Sequence, residues 1–170
     1  GDRDIDNKST LDDLPGVTSI AYLTRPESRG SVKITSNDCA EPPLIDANYL
    51  ATGNDRIALI AGVKRLRDIL ASAPLATVIG QELRPGVAVE SDEDILAYIK
   101  KHGTTAFHPV GTCKMGNDEQ AVVDDRLRVH GVSNLRVVDA SIMPTLISGN
   151  TNAATIMIAE KGADLILGIK

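Results

Sequence analysis

Two stretches late in the chain carry side chains suited to proton chemistry: "HPVGTCKMG" (His108 to Gly116) and "GNTN" (Gly149 to Asn152). A histidine titrates near neutrality, at about 6.5 when unperturbed, which makes His108 a candidate general base. Pro109 restricts His108 to an extended or turn geometry, and Gly111 lets backbone pass close to whatever the imidazole faces. An Asn amide donates a hydrogen bond without titrating, so Asn150 is a candidate partner for negative charge that develops as a proton leaves. Cys113 lies in the same motif, but no second histidine is placed there to activate it, and it reads as a buried structural thiol. Asp139, in "VVDAS", reads from its type alone as a cap on a strand. Thr151 and Asn152 open a helix, where free N–H groups and the positive dipole end favour negative charge; ordinary capping is the other reading. His102 and His130 lack comparable surroundings and are expected at the surface.

These residues need elements to hold them. "TSIAYLTRPESRGSVKIT" (Thr18 to Thr35) contains two β-prone runs around a Pro/Ser/Gly stretch and predicts a hairpin-like pair. "EPPLIDANYL" (Glu41 to Leu50) predicts a third extended piece, with Pro42 and Pro43 at its entry or edge. In "NDRIALIAGVKRLRDILASAP", the positions Ile57, Ile60, Val63, Leu66, Ile69 and Leu70 recur at helical spacing, with Asn54 or Asp55 as cap and Pro74 beyond the end. "SDEDILAYIKKHG" predicts a second helix capped by Ser91, with Asp94 three residues on in an S-x-x-D variant of the capping box, and stopped by Gly103. Residues 82–90 read as an exposed loop. "LRVVDASIMP" predicts a short buried strand. "NTNAATIMIAEKGADLILG" predicts a third helix, apolar nearly all round its first half, which implies burial in a larger body.

Of the 170 residues, 42% are apolar and 24% charged, ordinary globular composition with length for one domain. The formal net charge is −5, and the cationic cluster "KRLR" (Lys64 to Arg67) falls within the first helix, where it reads as a solvated face. That excludes nucleic acid as an expected partner. The longest apolar runs, such as 153–159, fall far short of the roughly 20 residues that cross a bilayer, and the opening residues have no signal-peptide pattern. Cys39 and Cys113 are far apart and fit no metal-ligand spacing, so no metal is expected and a reduced, cytoplasmic, at most membrane-peripheral setting is. The first residues, "GDRDIDNKSTLDDL", have no sustained period and read as a polar tail or loop over 1–17.

The ordered series "LTRPESRGSVKITSND", "HPVGTCKMG" and "VVDDRLRVHGVSNLRVVDASIMPTLISGNTNAATIMIAEKGADLIL" resembles the C-terminal part of the glucose-methanol-choline (GMC) flavin oxidoreductases, closest in wording to the choline dehydrogenase branch. The resemblance covers residues 18–168. It implies an α+β fold, an antiparallel sheet with helices packed on one side. On that reading, residues 18–116 form the substrate-binding domain, and 117–170 supply a terminal strand and helix returning to the FAD domain. Relatives bind FAD through G-x-G-x-x-G, a pattern found nowhere in these 170 residues, so the chain is expected to be a piece of a longer enzyme.

The resemblance also implies roles. FAD is the implied cofactor, with Asp139 and the Ala140 backbone near its ribityl-pyrophosphate region and the Thr151–Asn152 helix end facing the flavin pyrimidine ring. Oxidising an alcohol by hydride transfer requires the hydroxyl proton to leave with the hydride, the task matched by His108 as base. Asn150 stands where relatives carry Asn or His, which leaves His108 as the sole base. The implied partners are a primary alcohol, choline-like by branch, and the absent FAD-binding part. A quaternary ammonium calls for an aromatic cage or a carboxylate. The aromatics here are only Tyr22, Tyr49, Tyr98 and Phe107, so the cage must come largely from outside the chain. An uncovered apolar docking face predicts self-association of the isolated chain. The alternatives are a flavin-free binding or structural module and one subunit of a split flavoenzyme.

Overall fold

The computed structural model describes residues 15–169 and the backbone of two dipeptides, β1 (Asp2–Arg3) and β2 (Ser9–Thr10), which pair antiparallel. The remainder of the expected polar tail, up to position 14, lies outside the described residues. The chain divides into two units: Gly1–Tyr22 with Ala58–Lys101, and Leu23–Ile57 with His102–Lys170. The expected α+β class holds, with the strands confined to short antiparallel pairs.

In the second unit, β3 (Ser31–Lys33) pairs with β4 (Leu44–Asp46) in the register Ser31↔Asp46, Val32↔Ile45 and Lys33↔Leu44. The partner of the Ser31 strand is therefore the proline-led segment and not the Thr18 run, which forms no strand. Two local features account for this. Pro42 and Pro43 bring the chain extended into β4. At Gly30 a Cβ would lie 2.1 Å from the Asp46 carbonyl oxygen, an approach that only glycine allows. After β4 the Asp46 carboxylate accepts the Asn48 N–H at 3.0 Å, and the Asn48 amide donates to the Arg29 carbonyl at 2.8 Å, closing the turn.

Helix α1 (Gly53–Leu70) starts at Thr52, whose hydroxyl accepts the Asp55 N–H at 3.2 Å. The cap is thus Thr52, and Asp55 sits inside the first turn with its side chain committed elsewhere. Its carboxylate is buried, 4% exposed, and accepts the N–H groups of Glu27 (2.8 Å) and Ser28 (2.7 Å) together with the Ser28 hydroxyl. Burial pushes this carboxyl up, but the hydrogen bonds from the Ser28 hydroxyl, the Glu27 and Ser28 N–H groups and Thr52 outweigh it and hold it below the ordinary value.

In the first unit, α1 continues from Ala58. Of the predicted stripe, Ile60 is buried, Val63, Leu66 and Leu70 are half-buried, and Ile69 is exposed; Ile57, in the other unit, is exposed as well. The "KRLR" cluster is not simply a solvated face. Arg67 grips Glu82 with two nitrogens (3.0 and 2.8 Å) and donates to the Val89 carbonyl at 2.8 Å. A guanidinium fork satisfies a carboxylate and a carbonyl at once, so the segment expected as a free loop over 82–90 is clamped at both ends. Lys64 pairs with Asp92. Helix α2 (Asp92–His102) follows its predicted cap: the Ser91 hydroxyl accepts the Asp94 N–H at 3.1 Å and donates to the Asp94 carboxylate at 2.6 Å. Ile95 is 1% exposed.

The main apolar core belongs to the second unit: Val123, Leu127, Ile142, Met143 and Ile158, ringed by Val110, Met115, Val137, Val138, Ile147 and Leu165 among others. The predicted strand over 135–144 is not continuous. It makes one bridge, Arg136 to Arg128, and then turns into a single 3-10 turn, Ala140–Ile142. The cause is Asp139, whose carboxylate accepts the Ser141 N–H at 2.7 Å and pulls the backbone round. Helix α3 (Asn152–Leu167) ends on Gly168 at φ 71°. Gly162 lets it lie against Val138, where a Cβ would meet Val138 Cγ1 at 2.3 Å. Ile156, Met157, Ile166 and Leu167 of this helix are exposed.

Candidate active site

Local backbone forces set the position of His108. The Phe107 N–H donates to Thr105 Oγ1 at 3.1 Å, and Phe107 itself adopts φ 59°, a left-handed conformation costing a non-glycine residue about 1–2 kcal/mol. Pro109 follows. The imidazole is half-buried, and among the described residues it has no hydrogen-bond partner.

Downstream of His108 the motif is bound to the Asp139 turn. Val110 packs on the core, and Gly111, at φ 89°, runs under the Met143 carbonyl, 3.3 Å from where a Cβ would stand. The Cys113 N–H donates to the Ser141 carbonyl at 3.0 Å and the Met115 N–H to the Ile142 carbonyl at 2.8 Å. Two hydrogen bonds and one core thus join "HPVGTCKMG" to "VVDASI". Asp139 is exposed and Ala140 half-buried, and Asp139 caps a turn, not a strand. Cys113 is a half-buried free thiol, and Cys39 is also free.

Asn150 lies exposed in the loop between Pro144 and α3. Ile147 anchors this loop to the core, and the Gly149 N–H donates to the Ile147 carbonyl at 2.9 Å. Thr151 stands at the head of α3 with helical backbone angles, and its side chain makes no capping bond; its carbonyl takes both the Thr155 N–H and hydroxyl at 2.9 Å. The first N–H groups of α3, from Asn152 onward, are not satisfied by that side chain. Such a helix end suits an anionic or electron-rich group. His108 and Asn150 are not hydrogen-bonded to each other among the described residues.

The donors and acceptors present are of the types a flavin dinucleotide takes. The uncapped start of α3 offers N–H groups, Asp139 an accepting carboxylate and Ala140 half-buried backbone next to it. His102 and His130 are exposed as expected, and the His130 ring contacts the Gly116 carbonyl at 3.0 Å. One residue at the site escaped the sequence: Arg25 Nε donates to Ser148 Oγ at 2.7 Å, two residues from Asn150. "TRPESRG" reads as a connector, and nothing in it signals a contact 123 positions away.

Elsewhere in this unit Asp124 accepts from the Arg128 side chain at 2.8 Å and from the Arg128 and Arg126 N–H groups at 2.9 Å, which lowers its pKa to about 2. The turn it organises places Leu127, at φ 64°, in the core.

A family model described as GMC oxidoreductase matches residues 26–159. An oxygen-dependent choline dehydrogenase of Proteus mirabilis (strain HI4320) is 48% identical over 164 residues, covering 96% of this chain and 30% of the relative. An alcohol dehydrogenase [acceptor] of Pseudomonas putida is 49% identical over 142 residues, 84% of this chain and 26% of the relative. The crystal structure of pyridoxine 4-oxidase from Mesorbium loti superposes with a TM-score of 0.80 at 41% identity, over 85% of this chain and 28% of that one. The chain thus spans under a third of the length of these proteins. The match across residues 26–159 shows that the chain belongs to the GMC oxidoreductase family and corresponds to its C-terminal domain.

Proposed function

We propose that this chain is the substrate-side portion of an FAD-dependent oxidoreductase acting on the CH–OH group of a primary alcohol, with His108 as general base and Asn150 as the donor to the developing alkoxide. The observation that carries the reading is the pair of hydrogen bonds, Cys113 to Ser141 and Met115 to Ile142, that builds the candidate base and the candidate cofactor-side turn on one scaffold. Bound FAD supplies the two-electron acceptor for the carbon–hydrogen bond.

The remaining steps belong to this chain. A ring nitrogen of His108 takes the hydroxyl proton as the carbon is oxidised, because an alkoxide releases hydride far more readily than an alcohol. The Asn150 amide N–H holds the oxygen as its charge grows, without itself titrating. Asp139, the Ala140 backbone and the N–H groups at Thr151 and Asn152 hold the cofactor. The domain reading follows: residues 18–116 serve the substrate and 117–170 return to the flavin side. The exposed Ile156, Met157, Ile166 and Leu167 of α3 fit a face covered by the flavin-binding part of a longer polypeptide. The names of the relatives favour a choline-like alcohol. Free Cys39 and Cys113 fit a reducing, cytoplasmic compartment. No helix of the described residues is long and apolar enough to cross a membrane.

The test is single-turnover flavin reduction in the complete, flavin-loaded enzyme. Loss of a general base costs about 10²–10⁴-fold. His108→Ala is expected to slow reduction by that factor. Reduction at near the parental rate would overturn the assignment.

A further inference from the structure

We propose that Arg25 is a positioning residue that holds the loop bearing Asn150, acting through Ser148; this rests on the catalytic reading of Asn150. The guanidinium Nε donates to Ser148 Oγ at 2.7 Å across 123 residues of sequence. The two ends of this contact differ in rigidity. Arg25 stands next to Pro26, which restricts its backbone, and just before a turn that is fastened from several sides. The Glu27 and Ser28 N–H groups bind the buried Asp55 carboxylate at 2.8 and 2.7 Å, the Asn54 amide binds both Glu27 oxygens at 3.1 and 3.0 Å, and the Arg29 guanidinium returns to the Pro26 carbonyl at 2.8 Å.

The other end is open. Ser148, Gly149 and Asn150 are all exposed, with Gly149 adding backbone freedom directly before Asn150. Inside the loop the Gly149 N–H makes only a short-range bond, to the Ile147 carbonyl, and the long-range hydrogen bond that fixes Ser148 comes from Arg25. An exposed contact of this kind adds little to global stability. Its effect on geometry is larger in consequence, because a displacement of about 1 Å in a catalytic group can cost about 10²-fold in rate. An alkoxide donor acts mainly in the transition state, so its misplacement lowers kcat and leaves KM nearly unchanged.

Two readouts test this. In the complete flavin-loaded enzyme, Arg25→Met should speed amide hydrogen exchange at Gly149 to Thr151 and leave Ser31 to Lys33 unchanged. In the complete flavin-loaded enzyme, assayed with whichever of choline, benzyl alcohol and butanol the parent oxidises fastest, Arg25→Met should lower kcat by about 10–10²-fold with KM within about threefold, and Arg25→Lys should restore part of it. In an Asn150→Ala background, Arg25→Met should add less than about twofold, since residues acting as one unit are not additive. Losses that multiply, an unchanged kcat in Arg25→Met, or unchanged exchange would each overturn the proposal while leaving Asn150 in its role. An inert Asn150→Ala would remove the underlying reading, and the proposal with it.

Discussion

The unit containing Ala58–Lys101 and the unit containing His102–Lys170 are held together by different physics. In the first, the buried apolar side chains among the described residues are Ile60 and Ile95, and much of the remaining order comes from polar clamps: Arg67 on Glu82 and Val89, Lys64 on Asp92, and Ser91 with Asp94 at a helix start. In the second, five buried apolar residues form a shared core, and irregular backbone is laced over it by loop hydrogen bonds. Every candidate site residue, from His108 through Asp139 and Ala140 to Asn150, Thr151 and Asn152, belongs to that second unit. The contrast teaches where precision comes from. Reactive groups sit on turns and loops, and those turns keep their geometry because an apolar core and buried backbone bonds stand beneath them.

The comparison can be broken first at its most reactive point. His108→Ala should leave stability within about 1 kcal/mol, since the ring is half-buried and its loss opens no core cavity, while costing the 10²–10⁴-fold in flavin reduction given above. Denaturant unfolding beside stopped-flow reduction separates the two. A large fall in stability would mean that the site and the scaffold are not distinct.

The next effect lies in the buried anchor of the Arg25 turn. Asp55→Ala removes the part-buried hydrogen bonds from the Glu27 and Ser28 N–H groups to its carboxylate, and a hydrogen bond to a charged group is worth about 1.5–3 kcal/mol. The pH dependence has a definite sign. The folded pKa of Asp55 lies below its ordinary value of 3.8, so its contribution is complete above that value and disappears as the pH falls through the lowered one. Acid titration of unfolding free energy should therefore be shallower in Asp55→Ala than in the parent over that range. Equal slopes would show that Asp55 is no anchor.

Close packing of α3 gives a third, comparable effect. Gly162→Ala places a methyl 2.3 Å from Val138 Cγ1, a branched side chain with little room to yield, and overpacking of this kind costs about 1–3 kcal/mol. Val138→Ala in the same molecule should recover much of the loss, and a simple sum of two destabilisations would refute the contact. The smallest effect belongs to the polar unit: Ser91→Ala should cost about 1 kcal/mol as a lost helix cap, read as a modest drop in thermal midpoint with flavin chemistry untouched.

Legibility in the sequence followed the range of the force involved. Helix α2 was readable to its cap because Ser91 and Asp94 act on each other within one turn. Gly103 after α2 and the prolines before β4 were readable for the same reason. The hairpin pairs β3 with the Leu44 run and not the Thr18 run, a choice that depends on contacts such as Gly30 against Asp46, which no local pattern records. The strand expected over 135–144 failed at Asp139, where a side chain competing for backbone N–H groups outweighed β-propensity. The solvated face expected over Lys64 to Arg67 holds at Lys64 and Arg65, which are exposed, and breaks at Arg67, which finds its partner 15 residues later.

By itself, then, the sequence determined that three helices form, the cap of α2, the proline restraint on His108, the helix start at Thr151 and the family to which these motifs belong, since each depends on neighbours within a few residues or on ordered motifs along the chain. Only the tertiary structure decided that Cys113 and Met115 bind the turn after Asp139, that Asp55 is a buried acceptor and not a cap, and that Arg25 reaches Ser148. Those pairings join residues up to 123 positions apart. The entropy of bringing such ends together is recovered only when a whole core and its hydrogen bonds form at once, so no single stretch of sequence carries their signal.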